Sequence, residues 1–207
     1  MKVDDMTNDY ITSVPREEQE RRGKIRTFTG KYVNPFAMRA ADLDIRDIAH
    51  SLSIIKRYTG HTPVGYSVAQ HSVWVSRQFA DRELALAGLL HDAAEAYLND
   101  LASPVKHSPA LAGYVAGMER LERLLFATFG LDWKLMAAVK PADNAAFKLE
   151  VKSFWEPNTL SPFERIRPHY SDRFSEQQFL ARYRSLDGHS LFERPILDIH
   201  RPMEAVS

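Results

Sequence analysis

Residues 88–100 read GLLHDAAEAYLND and place three ionisable side chains at the end of an apolar helical run. Asp81 precedes this run and fits the N-cap of a helix. On a continuous helix His91 and Glu95 are four residues apart and Asp92 and Glu95 are three apart, so the three side chains share one edge. Burying them beside an apolar stripe is costly unless a partner neutralises them. The stretch therefore predicts a helix that presents an imidazole and two carboxylates to one small volume.

Helix start signals recur on both sides of this stretch. Asp44 fits an N-cap for a helix that runs to about residue 58. Ser67 and Gln70 have the spacing of a capping box, which predicts a helix carrying His71 near its start. Ser175 fits the cap of a last helix that ends near residue 186. We therefore expect helices before and after the central stretch.

Two longer helices are predicted between residues 108 and 155. A Ser-Pro pair at residues 108–109 predicts the start of the first helix, and Gly130 predicts its end. Asp132 is expected to begin the second. Pro141 is expected to kink or restart that second helix, because proline lacks an N–H and crowds the preceding turn. A restart would leave Asp143 in a fresh first turn.

The resulting fold class is all-α, a helical bundle with polar extensions at both ends. We expect an N-terminal extension at residues 1–26, a helical domain at 27–186 and an irregular C-terminal tail at 187–207. An alternating segment at 27–33 that contains Gly30 predicts a small hairpin at the start of the domain.

Composition restricts the classes of function. The chain has 207 residues, with Lys+Arg 27 and Asp+Glu 27, and a balanced charge argues against a protein that coats nucleic acid. Cysteine is absent, so disulfides, thiolate metal sites and thiol nucleophiles are excluded. The sequence has no apolar run long enough for a membrane helix and no signal-peptide core. We therefore expect a cytoplasmic protein without membrane or stable nucleic-acid partners.

His71 and Asp143 could join His91 and Asp92 from neighbouring helices to hold one divalent metal. Nitrogen and oxygen ligands without sulfur suit Mn, Co, Fe, Ni or Zn. Such a site would polarise a phosphate ester and activate water, while Glu95 could move a proton without binding the metal. A single histidine on an apolar helix face is more often a hydrogen-bonded core residue. The metal interpretation therefore depends on the set as a whole.

Several short segments together match a known family. They are IAHSLS at 48–53, GHT at 60–62, YSVAQHS at 66–72, LLHDAAEAY at 89–97, Asp100, PVK at 104–106 and KPAD at 140–143. On these segments the chain resembles the HD-domain phosphohydrolases. The resemblance is greatest to the YfbR-like 5′-deoxynucleotidases and the related phage dATP triphosphohydrolases.

The resemblance implies a role for each matching position. It assigns metal binding to His71, His91, Asp92 and Asp143, catalysis to Glu95 and Asp100, and substrate binding to Arg57, Tyr58 and Lys106. Arg57 and Lys106 would contact phosphate, and Tyr58, where the relatives carry Trp, would pack on the sugar and disfavour a 2′-hydroxyl. His61 could reach the pocket from its loop and is added to the substrate-binding set.

The expected cofactor is one divalent transition metal (Co, Mn, Zn, Fe or Ni). Further Mg, Mn or Co ions would bind only through substrate phosphates, because His107 alone lies between His91 and Asp143 as an added histidine. The expected substrate is a small deoxynucleotide, dATP first and a deoxynucleoside monophosphate next. We expect a homo-oligomer in the cytoplasm, or in the host cytoplasm if a phage encodes it. Hydrolysis of another nucleotide signal and a non-catalytic nucleotide or metal sensor remain alternatives.

Overall fold

A computed structural model of the chain describes residues 22–168 and 171–187. The architecture is all-α, as the sequence predicts. The helices are α1 Ile45–Ile54, α2 Val68–Ser76, α3 Arg82–Leu90, α4 Glu95–Leu98, α5 Ser103–Lys106, α6 Ala112–Thr128, α7 Leu135–Trp155 and α8 Asp172–Asp187. Short 3₁₀ turns lie at Pro35–Ala37, Ala40–Asp42, Arg57–Gly60, Pro109–Leu111 and Pro157–Thr159. Residues 1–21 and 188–207 lie outside the described residues, so the two predicted extensions stay predictions.

The predicted caps of the first three helices are confirmed. Asp44 accepts a hydrogen bond from the backbone N–H of Arg46 at the start of α1. At the start of α2, the Gln70 N–H donates to Ser67 Oγ over 3.2 Å and the Ser67 N–H donates to Gln70 Oε1 over 3.0 Å. Asp81 caps α3 through the N–H of Leu84. These helices begin where local hydrogen bonding satisfies their free N–H groups.

The helix predicted to carry His91, Asp92 and Glu95 is interrupted. Helix α3 ends at Leu90, and α4 begins at Glu95. Across the interruption the N–H groups of Ala93 and Glu95 donate to the carbonyls three residues earlier, which is the tighter 3₁₀ pattern. The prediction of one straight helical edge for His91, Asp92 and Glu95 is therefore wrong, because tertiary packing overrides the local periodicity here.

Five other features of the helices differ from those predicted. Helix α1 ends at Ile54 and not near residue 58, and α7 begins at Leu135 and not at Asp132. Helix α6 begins at Ala112, because residues 109–111 form a separate 3₁₀ turn. Pro141 lies inside a continuous α7, so the predicted restart is wrong and Asp143 sits within the helix. Helix α8 begins at Asp172, where Ser171 Oγ accepts from the N–H of Phe174, and Ser175 is already helical. Gly130 does end α6, with a positive φ of 73°.

The core lies between α1, α2, α3 and α8, which pack on one another, and α7 lies against α2 and α3. Leu52, Val75 and Leu89 are fully buried within it. Side chains of this size contribute about 1.5–3 kcal/mol each when they leave water. The packing brings the start of α2, the end of α3 and the middle of α7 together.

Among the described residues, none of the helices has the length and hydrophobicity that a membrane-spanning segment needs.

A hairpin is present as predicted, but it begins earlier than residue 27: its two short antiparallel strands are β1 Ile25–Arg26 and β2 Tyr32–Val33, so β1 lies within the predicted N-terminal extension. The hairpin is attached to α1 through its turn, because the Thr29 N–H donates to Asp47 Oδ1 over 2.6 Å and Thr29 Oγ1 donates to Asp47 Oδ2 over 2.9 Å. The Phe28 ring stacks on His50 with centroids 3.9 Å apart. The hairpin therefore covers one side of α1.

Candidate metal centre

Three helices bring four of the predicted metal ligands together. His71 is in the first turn of α2, His91 and Asp92 directly follow α3, and Asp143 lies in the middle of α7. His71 is fully buried and His91 is nearly so, whereas both carboxylates remain partly accessible. His71, His91 and Asp92 form a group that could hold a metal ion.

The ligand atoms lie at the spacing of one coordination sphere. His71 Nε2 is 3.3 Å from His91 Nε2 and 3.6 Å from Asp92 Oδ2. Asp143 Oδ1 is 3.1 Å from His71 Nε2 and 3.8 Å from His91 Nε2, and His91 Nε2 is 3.2 Å from Asp92 Oδ2. Ligands bound at about 2.0–2.2 Å from one ion lie roughly 3.0–3.4 Å from their neighbours. The residues present therefore fit a single metal ion.

The far nitrogens of the two imidazoles fix how the rings face each other. His91 Nδ1 donates to the carbonyl oxygen of Gly88 over 2.9 Å, and His71 Nδ1 donates to Glu150 Oε1 over 2.6 Å. Since both acceptors need a proton from Nδ1, the neutral rings carry lone pairs on Nε2. Two such lone pairs 3.3 Å apart repel each other unless a cation lies beside them. The cation can be a metal ion or a proton on one ring.

The carboxylates favour positive charge at this point. Burial opposes a charged His91, but Asp92 and Asp143 outweigh burial and raise the pKa of His91 to about 10. Burial likewise opposes ionisation of Asp92, yet His91, His71 and Arg57 hold the pKa of its carboxyl well below the usual range. The pKa of Asp143 is also strongly lowered, against burial, by His71, His91 and Lys140. Both carboxylates therefore remain ionised beside the imidazoles.

Glu95 lies beside this group without joining it. It is the first residue of α4 and is 7% exposed, and its buried Oε2 has no hydrogen-bond partner among the described residues. Burial and the negative charges of Asp92 and Asp100 raise the pKa of Glu95 well above its ordinary value. Burial, in addition to Asp92, also raises the pKa of Asp100. Glu95 therefore has the environment of a carboxyl group that keeps its proton to higher pH than a solvent-exposed glutamate does.

Two cations border the acids. Arg57 Nη1 lies 3.5 Å from Asp92 Oδ2, and the side chain of Arg57 is 13% exposed. Lys106 is the last residue of α5, and its charge and that of Arg57 both act on Glu95 and Asp100. Asp100, Arg57 and Lys106, which the family resemblance names, are thus neighbours of the metal-binding group.

Tyr58 and His61 are placed differently from the other predicted residues. The Tyr58 hydroxyl donates to Glu150 Oε2 over 2.6 Å, and its ring packs edge-on against Trp155. Tyr58 and Thr59 both have left-handed backbone angles, with φ of 58° and 55°. Such conformations cost about 1–3 kcal/mol per non-glycine residue. His61 is exposed just after this turn, and its backbone N–H donates to the carbonyl oxygen of Tyr58 over 3.0 Å.

Sequence reasoning missed two acids at the site. Glu150 follows Asp143 by seven residues, which is two helical turns, so the spacing alone could have placed both on one face of α7. Burial raises the pKa of Glu122 on α6, which also interacts electrostatically with Lys106, Asp92 and His91. Glu122 has no comparable signal in the sequence, because only the packing of α6 brings it towards the site.

Similar proteins are found in two bacteria. The uncharacterized protein YfdR of Escherichia coli is 40% identical to the chain over 138 residues, which cover 63% of this chain and 76% of YfdR. An uncharacterized protein of Rhodobacter capsulatus is 35% identical over 144 residues, which cover 64% of this chain and 73% of that protein. No known protein-family profile matches the chain. The chain belongs to the same protein family as YfdR.

Proposed function

We propose that the chain is a metal-dependent phosphohydrolase of the HD-domain type, which removes the 5′-phosphate or triphosphate of a deoxynucleotide. The observation that carries this proposal is the pair of imidazole Nε2 atoms 3.3 Å apart, flanked by Asp92 and Asp143 oxygens. Such a set suits one divalent ion with N and O ligands, for which Co, Mn, Zn, Fe and Ni are the candidates. His71, His91, Asp92 and Asp143 would be its ligands.

A bound ion of this kind would polarise a phosphate oxygen and lower the pKa of water, which is the chemistry that phosphate-ester hydrolysis needs. Glu95 would give a proton to the leaving oxygen or take one from water, since its buried Oε2 has no competing partner among the described residues. Asp100 would orient water or the sugar beside it. In this proposal the acids would transfer protons, and the cations around them would stabilise the negative charge of the substrate.

Arg57 and Lys106 would bind the substrate phosphates. The Arg57 guanidinium already lies next to Asp92, so a phosphate held there would sit beside the proposed metal ligands. A guanidinium can donate two parallel hydrogen bonds to phosphate oxygens, whereas lysine offers a point charge. Tyr58 would contact the sugar through its ring, because its hydroxyl is already bonded to Glu150. Tyr58 would therefore give the preference for deoxyribose.

The experiment is a screen of all deoxy- and ribonucleotide mono- and triphosphates with Co²⁺, Mn²⁺, Mg²⁺ and Zn²⁺, with products separated by chromatography. We expect turnover of deoxynucleotides, with dATP tested first and the monophosphates next. Asp92→Ala and Glu95→Ala are expected to abolish product formation. Turnover that is unchanged in both variants would contradict the mechanism. Nucleotide and metal binding without any product would instead favour a sensor.

A further inference from the structure

Glu150 is a fully buried carboxylate that belongs to none of the predicted roles. It lies on α7, two turns after Asp143. Its Oε1 accepts from His71 Nδ1 over 2.6 Å. Its Oε2 accepts from the Tyr58 hydroxyl over 2.6 Å and from Arg57 Nε over 3.2 Å. One buried group is thus bonded both to a proposed metal ligand and to the proposed substrate-binding turn.

The two imidazoles of the metal centre are oriented by different kinds of acceptor. His91 Nδ1 faces the neutral carbonyl of Gly88, whereas His71 Nδ1 faces the Glu150 carboxylate. A carboxylate on the far nitrogen holds the metal-binding tautomer, fixes the plane of the ring and makes the other nitrogen more basic. The tautomer and orientation of the His71 ring therefore depend on Glu150, whereas those of the His91 ring depend on a backbone carbonyl.

The turn at Arg57–Gly60 also depends on Glu150. Two consecutive residues, Tyr58 and Thr59, hold left-handed backbone angles that non-glycine side chains disfavour. Such a conformation persists only where surrounding contacts maintain it. The Tyr58 hydroxyl and Arg57 Nε both end on Glu150 Oε2, so this oxygen supplies two of those contacts.

We infer that Glu150 is a positioning residue that joins the two halves of the site. Its Oε1 holds the ring of His71 for metal binding, and its Oε2 holds the turn that directs Arg57 towards Asp92. This inference rests on the proposed metal site, and it adds a group that touches neither metal nor substrate. A carboxylate that served stability alone would leave metal affinity unchanged after a substitution that keeps the fold.

The test compares Glu150→Gln with the wild-type protein by Co²⁺ titration, read by calorimetry and by the visible absorption of bound Co²⁺. Glutamine keeps the size and one acceptor oxygen but loses the charge. We expect Co²⁺ affinity to fall by about 10–100-fold, with an altered Co²⁺ spectrum. Hydrogen exchange at residues 57–61 is expected to become faster, because the turn loses its ionic contact.

The matched control is Glu176→Gln. Glu176 on α8 accepts from His50 Nδ1 over 3.1 Å, so this variant neutralises another carboxylate paired with histidine, outside the metal-binding group. We expect wild-type Co²⁺ affinity, spectrum and exchange at residues 57–61. Equal Co²⁺ affinity in Glu150→Gln, Glu176→Gln and wild type would overturn the inference while leaving the proposed function intact.

The Tyr58→Phe variant tests the role of Glu150 Oε2 separately from that of Oε1. It also provides a test of the inference if Glu150→Gln does not fold. This variant keeps the bond to His71 and removes one bond to Oε2. Co²⁺ affinity within about twofold of wild type is expected, together with faster exchange at residues 57–61. Unchanged exchange would contradict the role of Oε2. Failure of the wild-type protein to bind Co²⁺ would contradict the proposed function and, with it, the role of Oε1.

Discussion

The Nε2 atoms of His71 and His91 face each other across 3.3 Å, while the Nδ1 atom of each ring donates to an acceptor on the opposite side. This arrangement leaves two lone pairs directed at one point. Carboxylate oxygens of Asp92 and Asp143 border the same point. A metal ion or a proton can occupy this point.

Divalent metal is expected to stabilise the fold. A ligand that binds only the folded state at 100 times its dissociation constant adds about 2.7 kcal/mol to the free energy of unfolding. For a chain of this length that corresponds to a rise in Tm of roughly 5–10 °C. Thermal unfolding with Co²⁺ or Mn²⁺, and again after EDTA, measures it. An equal rise in His91→Ala would show that the ion binds elsewhere.

Metal binding is expected to release a proton. Without metal, the carboxylates raise the pKa of His91 to about 10, so its Nε2 holds a proton at pH 7.5. The metal must displace that proton, and apparent affinity should therefore rise by about tenfold per pH unit between pH 7 and 9. Calorimetry in buffers with different ionisation enthalpies measures the proton count. Affinity that is constant across this range would argue against proton displacement.

Glu95 is expected to separate metal binding from turnover. Glu95→Gln keeps the shape of the side chain and removes its ability to exchange a proton. We expect kcat to fall by about 10²–10⁴-fold, with Co²⁺ affinity close to that of the wild type. Asp92→Ala is the comparison, because this variant should lose both Co²⁺ binding and turnover. Wild-type kcat in Glu95→Gln would exclude a proton-transfer role.

Glu95 should also make metal-free stability depend on pH. Burial and the charges of Asp92 and Asp100 raise its pKa in the folded state above the ordinary 4.5. Above pH 4.5 the folded chain keeps a proton that the unfolded chain releases, so this contribution to stability decreases as pH rises. The Glu95→Gln variant has no ionisable group at this position, so its stability does not decrease with pH for this reason. Urea unfolding in EDTA should therefore show the stability of Glu95→Gln increasing relative to that of the wild type as pH rises above 4.5. A difference in stability that does not change with pH would contradict the environment described for Glu95.

Pro141→Ala is expected to stabilise α7. Proline inside a helix forfeits the bond from its own nitrogen to the carbonyl four residues earlier and crowds that turn. Residue 141 is exposed, so alanine should fit without repacking. We expect the free energy of unfolding to rise by about 1–3 kcal/mol in urea titrations. A decrease would indicate that the proline adjusts the helix in a way that Asp143 requires, and Co²⁺ affinity would then fall as well.

Local signals predicted the caps of α1, α2 and α3, because a side chain that bonds its own helix terminus acts within three residues. The turn at residues 91–94 and the continuity of α7 through Pro141 were predicted wrongly, since packing against other helices decides them. The spacing around His91 and His71 predicted the group of His71, His91 and Asp92 that could hold a metal ion, although its helical edge is not straight. Glu150 was missed because its role depends on the partners that α2 and the Arg57–Gly60 turn bring to it.

Both nitrogens of the His71 imidazole face acids of the same helix, because Asp143 Oδ1 lies 3.1 Å from Nε2 and Glu150 Oε1 accepts from Nδ1 over 2.6 Å. These two acids are seven residues apart, so their common direction depends on the helical phase of α7. Inserting one residue between them would rotate Glu150 by about 100° relative to Asp143 and release one nitrogen. Substitutions at the exposed positions 144, 145, 147 and 148 keep this phase, whereas insertions and deletions change it, which constrains how this helix can vary in length among related chains.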